Sequence, residues 1–226
     1  MTGDSCSPQV AALIGRDILN IDDLTARVRP DYDQAQSSLM RIVGGQFRGR
    51  ALAVPQSGAT RPTSDRVREA VFNILAHGIA GLDFAGIRVL DLFAGTGALG
   101  LEALSRGAGF CMFVEEEASA RGIIRENVEA LGLTGVTKIF RRDATGLGDA
   151  GKYAGFSLLF ADPPYDLGLA GQALLSAASG GWLLPGAIAV IEERARASID
   201  LPPSFQVLDQ RTWGDTQAVF ARFQAA

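Results

Sequence analysis

The residues best suited to chemistry in this chain are Asp162-Pro163-Pro164-Tyr165, which follow the apolar run Ser157 to Ala161. Two consecutive prolines remove backbone donors and fix the chain direction, leaving a carboxylate, outward carbonyls and an aromatic ring at one spot. That set suits an amino group on a flat base. The Asp162 side chain and the Pro163 carbonyl can accept the two amine hydrogens, drawing the nitrogen lone pair toward an electrophile, while Tyr165 stacks on the ring. A Pro-rich turn after a strand would account for the prolines but not for an acid and an aromatic bracketing them.

A second constellation lies upstream in Val89-Leu90-Asp91-Leu92-Phe93-Ala94-Gly95-Thr96-Gly97-Ala98-Leu99-Gly100, an apolar run that breaks into a glycine turn and resumes with helical spacing. Gly95 and Gly97 suit a backbone that turns sharply and approaches a ligand beside a helix N-terminus. Plain strand-to-helix connections use such turns too, so the partners decide. Glu115, 24 residues after Asp91, ends the next apolar run. It can accept both hydroxyl protons of an adenosine ribose, or Glu115, Glu116 and Glu117 together form an acidic helix start favoured by the helix dipole. Asp143, in Arg141-Arg142-Asp143-Ala144, can accept from an adenine amino group, or cap the next short helix.

These residues need a scaffold that collects strand ends along one rim. From Ile87 onward the pattern alternates: strand to Leu92, helix Ala98 to Ser105, strand Phe110 to Val114, helix Ala118 to Leu131, strand Val136 to Phe140. Strands recur at Ser157 to Ala161, Ala187 to Ile191, Phe205 to Leu208 and Gln217 to Arg222, with a helix from about Leu169 to Ala178. Near-continuously apolar strands separated by helices imply an α/β fold with a mainly parallel sheet covered on both faces. The last two strands have no helix between them and should form an antiparallel pair at one edge. Upstream, two β-prone runs flank the Gly-rich turn at Gly44-Gly45, which suggests a hairpin. Ser64 or Thr63 can cap a helix whose buried stripe is Val67, Ala70, Val71, Ile74 and Leu75, with Arg66, Glu69 and Asn73 opposite. His77 ends that helix as a surface residue compatible with its dipole.

The 226 residues carry a net charge of −4, unevenly distributed. Residues 1–39 hold three Arg and six Asp, for −3, and read as a weakly ordered extension with a short amphipathic helix around Val10 to Val28. Residues 40–69 hold Arg41, Arg48, Arg50, Arg61, Arg66 and Arg68 against Asp65 and Glu69, for +4. That block can face a polyanion, or the arginines can serve surface ion pairs. Cys6 and Cys111 offer neither metal spacing nor a disulfide framework. With no apolar run of membrane-span length and no secretory leader, a cytoplasmic protein is expected, without metal or membrane.

Together, the glycine loop, Glu115, Asp143 and Asp162-Pro163-Pro164-Tyr165 resemble a class I S-adenosylmethionine-dependent amino-methyltransferase. Three upstream blocks narrow the resemblance: Arg41 to Arg50, Arg61 to Glu69, and Gly97 to Arg106 are similar to the bacterial family that methylates guanine N2 in 16S ribosomal RNA of the small subunit. The resemblance covers Met40 to about Phe223; the acidic leader departs from it, and Tyr165 stands where the family accepts Tyr or Phe. It implies a Rossmann-like, seven-stranded sheet with an N-terminal hairpin and helix. It implies a catalytic core from residue 85 onward, in a domain spanning 40–226. It also implies S-adenosylmethionine held by Asp91, Phe93, Gly95, Gly97, Glu115, Asp143 and Ala144, and acceptor chemistry at Asp162, Pro163, Pro164 and Tyr165. The resemblance further places RNA contacts on Arg41, Arg48, Arg50, Arg61, Thr63, Arg66, Arg68 and Tyr165 and implies an assembled or assembling 30S particle as partner; a monomer is expected. Two other readings stand beside this one: an adenine-N6 or other amino-methyltransferase, because the Asp-Pro-Pro-Tyr segment alone does not separate the bases, and a non-catalytic RNA-binding assembly factor that keeps the fold.

Overall fold

Strand β1 (Arg88–Leu92) lies in the interior of a seven-stranded sheet of order β3-β2-β1-β4-β5-β7-β6. The structure is a computed structural model that describes residues 40–55, 64–78, 82–165 and 167–225. The extension 1–39 with its expected helix and Cys6, the loop 56–60, Arg61 and Thr63 lie outside the described residues. The remaining strands are β2 (Phe110–Val114), β3 (Thr137–Phe140), β4 (Phe156–Ala161), β5 (Leu183–Arg194), β6 (Phe205–Trp213) and β7 (Thr216–Phe223). Strands β1 to β5 pair in parallel. Strand β7 runs antiparallel to both β5 and β6, so the expected antiparallel pair closes one edge.

The period-2 alternation of each strand divides the core into two layers. Val89, Cys111, Phe113, Leu158 and Phe160 face one layer, where they meet helices α1 (Asp65–His77), α2 (Ala98–Ser105) and α3 (Ala118–Ala130). The Phe72 ring of α1 packs at a tilt against Phe160, centroids 5.5 Å apart, and against Phe84 at 5.6 Å, seating that helix on the sheet. Leu90, Leu92, Met112, Val114 and Leu159 face the opposite layer, against α4 (Leu169–Ser179) and Trp182. Helix α4 buries Ala170, Ala173, Leu174 and Ala177, the i, i+3, i+4, i+7 stripe of an amphipathic helix.

Helix α1 starts where its cap dictates: the Ser64 hydroxyl accepts from the Val67 amide at 3.3 Å. Its outward face carries Arg66, Glu69 and Asn73 as expected, but Arg68 lies in the buried stripe with Val71, Phe72 and Leu75. The expected N-terminal hairpin is present: Arg41 and Ala51 form an antiparallel bridge, the Ile42, Gly49 and Leu52 amides donate across to Arg50, Ile42 and Met40 at 2.8–2.9 Å, and a short 3-10 turn at Gly45–Phe47 lies at its tip. Beyond Ile42 the ladder gives way to bonds with α2. The Val43 and Phe47 amides donate to the side chains of Glu102 and Ser105 on α2, at 2.8 and 3.0 Å, instead of to a facing strand. Strands β5 and β6 also run beyond Ile191 and Leu208, because pairing with β7 continues through the polar residues to Arg194 and Trp213.

Candidate active site

The C-terminal ends of β1, β2 and β4 open onto a cleft of about 530 Å³, the position where open α/β sheets take their ligands. Phe93, Val114, Ala144, Pro164 and Leu169 line it with apolar surface, and Glu115, Glu116, Glu117, Arg142, Asp143 and Thr145 contribute polar groups. Five residues singled out from the sequence therefore meet in one place: Phe93, Glu115, Asp143, Ala144 and Pro164.

The loop after β1 is shaped by backbone conformations that few residues adopt. Phe93 takes a φ of 55°, a left-handed value uncommon for a bulky side chain. Gly97, with φ 78°, is the N-cap of α2 and turns the chain into the helix. Gly95 donates its amide to Glu115 Oε2 at 2.9 Å, while Glu115 Oε1 accepts from the Glu117 amide at 2.8 Å. Glu115 is thus held by both loops at the mouth of the cleft rather than left as part of a solvated acidic helix start.

Asp91 does not face the cleft. It is 2% exposed, and its Oδ2 accepts from the Gly100 amide at 2.9 Å, tying β1 to α2 from behind the loop. Burial pushes its carboxyl up to about 8; the Gly100 bond works against that rise, and the nearby Glu115 charge adds to it. Expected as a cofactor contact, Asp91 instead braces the loop that forms the cleft. Asp143 is exposed and caps the short turn Ala144–Gly146, accepting from the Thr145 amide and hydroxyl at 2.8 Å. That is the capping geometry, and it also holds the carboxylate at the cleft wall.

At the end of β4, Pro163 is buried, Pro164 is exposed at the cleft, and Asp162 and Tyr165 are half-buried. The Tyr165 hydroxyl lies 3.4 Å from both Glu192 Oε1 and Thr216 Oγ1, which fix the ring from β5 and β7. Burial pushes this phenol up to about 12. Its Thr216 bond opposes the rise, and the charges of Glu192 and Asp162 reinforce it.

The basic block is split. Arg41, Arg48, Arg50 and Arg66 are exposed. Arg41 pairs with Asp65 at 3.1 Å, and Arg50 donates to the Ala130 carbonyl at 3.0 Å. Arg68 corrects the expectation of a phosphate contact: it is wholly buried, paired with Asp65 at 2.6 Å and with Glu102 at 3.9 Å, and it donates to the Arg41 carbonyl at 2.5 Å. A guanidinium shut inside a protein cannot meet an RNA backbone.

The family model described as Conserved hypothetical protein 95 matches residues 40–222. Over 168 residues the chain is 36% identical to the Ribosomal RNA small subunit methyltransferase D of Escherichia coli, a match covering 74% of this chain and 81% of that protein. The chain belongs to this methyltransferase family. The Haemophilus influenzae protein of the same name is 33% identical over 177 residues, covering 77% of this chain and 89% of the relative. Among solved structures, Escherichia coli yhhF, provisionally described as a methyltransferase, superposes with a TM-score of 0.70 at 31% identity. That superposition covers 83% of this chain and 99% of the other.

Several groups of this methyltransferase escaped the reading of its sequence. Glu192, Thr216 and Arg194, whose guanidinium carbon sits 5.8 Å from the Tyr165 ring centre, surround the aromatic of the acceptor motif. The signal was the acidic pair Glu192-Glu193 closing an apolar strand; both side chains are buried, at 5% and 4% exposure. Glu102 and Asn127, also buried, sat unremarked within helical patterns.

Proposed function

We propose that the chain transfers a methyl group from S-adenosylmethionine to the exocyclic N2 amine of a guanine in 16S ribosomal RNA, in the cytoplasm and on an assembled or assembling small subunit. The observation that carries this reading is the convergence of the Asp-Pro-Pro-Tyr segment with the cleft lined by Phe93, Glu115 and Asp143, Pro164 being common to both. Membership of a family whose relatives in Escherichia coli and Haemophilus influenzae are named as ribosomal RNA small subunit methyltransferases supports the choice of acceptor.

The cleft suits the cofactor chemically: flat apolar walls for a purine, the Glu115 carboxylate for ribose hydroxyls, and the exposed Asp143 carboxylate for an amino group. When bound, S-adenosylmethionine supplies an electrophilic methyl on a sulfonium. The protein's own residues hold and orient the acceptor. Asp162 and the Pro163 carbonyl accept the two amine hydrogens, which takes the nitrogen lone pair out of conjugation with the ring. Tyr165, its hydroxyl fixed by Glu192 and Thr216, offers a stacking face. No base has to remove a proton before attack, so alignment dominates catalysis. As the new N–C bond forms and the C–S bond breaks, Asp162 stabilises the positive charge on nitrogen and passes one proton to water. An exocyclic amine inside a stacked helix is out of reach, so the base is splayed into the pocket while Arg41, Arg48, Arg50 and Arg66 hold flanking phosphates.

The test is methyl transfer from labelled S-adenosylmethionine to purified small subunits and to naked 16S RNA, both from cells lacking this protein, followed by nucleoside analysis. N2-methylguanosine is expected. N6-methyladenosine would reassign the acceptor, and cofactor binding without transfer to either substrate would overturn the enzymatic reading.

A further inference from the structure

Asn127 is the point where three parts of the molecule meet. It lies on α3 with 2% exposure, although its neighbours Arg125, Glu126 and Glu129 are exposed. Its Oδ1 accepts from the Ala53 amide at 2.6 Å, and its Nδ2 donates to the Ala53 carbonyl at 3.2 Å and to the Thr96 carbonyl at 3.1 Å. One amide N–H and two carbonyls around the carboxamide admit only this orientation of the side chain, and both its donor hydrogens are used. Ala53 lies on the returning arm of the hairpin that bears Arg41, Arg48 and Arg50; Thr96 stands between Gly95 and Gly97 in the loop at the cleft.

Two further contacts join the same parts. The Thr96 hydroxyl donates to Met40 Sδ at 3.5 Å, and Arg50 donates to the Ala130 carbonyl near the C-terminal end of α3. The segment bearing Arg41, Arg48 and Arg50 is therefore fastened at both ends to groups that share the glycine loop or its supporting helix. A buried carboxamide that loses one partner keeps the desolvation penalty without the bond, so movement of Thr96 away from Ala53 is opposed.

We propose that Asn127 is a positioning residue that couples the cofactor loop to the basic segment, so that S-adenosylmethionine at the loop and RNA on Arg41, Arg48 and Arg50 tighten each other's binding. The inference rests on the proposed function for the identity of the two ligands. Order in the loop fixes the Thr96 carbonyl, the fixed carbonyl locks Asn127, and the locked carboxamide holds Ala53 through both its backbone groups. By linkage the effect is reciprocal: RNA holding the segment stiffens the loop by the same factor.

The experiment measures the dissociation constant of S-adenosylhomocysteine alone and with saturating small subunits from cells lacking this protein, for wild type and Asn127→Leu. In the wild type the subunits are expected to tighten cofactor binding by at least about fivefold. In Asn127→Leu the enhancement should fall below about twofold while unassisted cofactor affinity stays within about threefold of wild type; a general loss of structure would move that second number as well. A variant that keeps the full enhancement overturns the coupling, as does a wild type with none. Wild-type protein that binds no S-adenosylhomocysteine overturns the functional reading itself, a result distinct from loss of enhancement. If Asn127→Leu does not fold, amide hydrogen exchange on the wild type decides: S-adenosylhomocysteine should slow exchange at Ala53 and Leu52, and unchanged exchange there would refute the proposal.

Discussion

Replacing Glu102 by Gln tests the buried charge cluster that carries the N-terminal segment. Glu102 is wholly buried; its Oε1 accepts from Arg106 Nε at 2.8 Å, and its Oε2 accepts from the Val43 amide at 2.8 Å and lies 3.9 Å from Arg68 Nε. Arg68 is equally buried, so removing the negative charge leaves a guanidinium in the interior with one fewer counter-charge. Breaking a buried ion pair from one side costs about 3–5 kcal/mol. The lower end applies, because Asp65 remains 2.6 Å from Arg68 and is itself partly solvated. For a domain of this size about 3 kcal/mol lowers Tm by roughly 6–12 °C. Thermal melts followed by circular dichroism give the stability, and filter binding to small subunits gives the consequence for the segment that Val43 anchors. Glu102→Gln should weaken subunit binding more than S-adenosylhomocysteine binding, because the cleft is lined by other residues. The double variant Glu102→Gln, Arg68→Met keeps an acceptor for Val43 and removes the stranded guanidinium, and should recover part of the lost Tm. A Glu102→Gln protein melting within about 2 °C of wild type would refute the reasoning, since a buried, charged acceptor cannot be neutralised without cost.

Three further outcomes are expected. Asp162→Ala should lower kcat/KM for methyl transfer by about 10²- to 10³-fold, with S-adenosylhomocysteine affinity within about twofold of wild type by calorimetry; unchanged turnover would remove Asp162 from the site. Asp91 makes stability pH-dependent: the folded protein holds its proton up to about pH 8, whereas an unfolded Asp titrates near 3.8. The contribution is therefore complete below the lower value and is lost as pH rises toward the upper one, at up to about 1.4 kcal/mol per pH unit. Asp91→Asn keeps an acceptor for Gly100 but cannot ionise, so its urea midpoint should fall less than that of wild type between pH 5 and 8; parallel profiles would contradict the buried, neutral acid. Gly100→Ala would place a Cβ 2.4 Å from the Phe113 ring, 2.5 Å from Cys111 Sγ and 2.9 Å from Asp91 Oδ2. Overpacking of about 1–3 kcal/mol should outweigh the helix propensity gained, lowering Tm and loosening cofactor binding; a variant as stable as wild type would mean that α2 is free to shift away from β1.

What was legible in the sequence follows from which interactions are periodic. Strands β1, β2 and β4 were readable because both their faces are buried, so nearly all their residues are apolar, Asp91 being the buried exception. Helix α2 was readable in the same way, its eight residues all being buried and apolar apart from Gly100, Glu102 and Ser105. The cleft was partly legible too: Phe93, Glu115, Asp143 and Pro164 follow strand ends, and in an open α/β sheet strand ends share a rim. Long-range polar contacts carry no such period. Arg68 and Arg66 are both arginines beside one helix cap, and only the placement of Glu102, 34 residues on, decides that the first is buried and the second exposed.

The N-terminal hairpin was legible, with Ile42 and Leu52 bonded across to Arg50 and Met40, but its attachment to α2 was not. Its residues have strand propensity, but α2 offers stronger acceptors to Val43 and Phe47 than a facing strand would. The exchange has a functional consequence. A free hairpin would present Arg41, Arg48 and Arg50 on a ribbon able to bend independently of the core, whereas amides bonded to Glu102 and Ser105, with Ala53 bonded to Asn127, set those arginines at a fixed offset from the loop that forms the cleft. A methyl transfer that depends on alignment needs that offset, because RNA gripped by a mobile arm would reach the pocket in many registers and react in few.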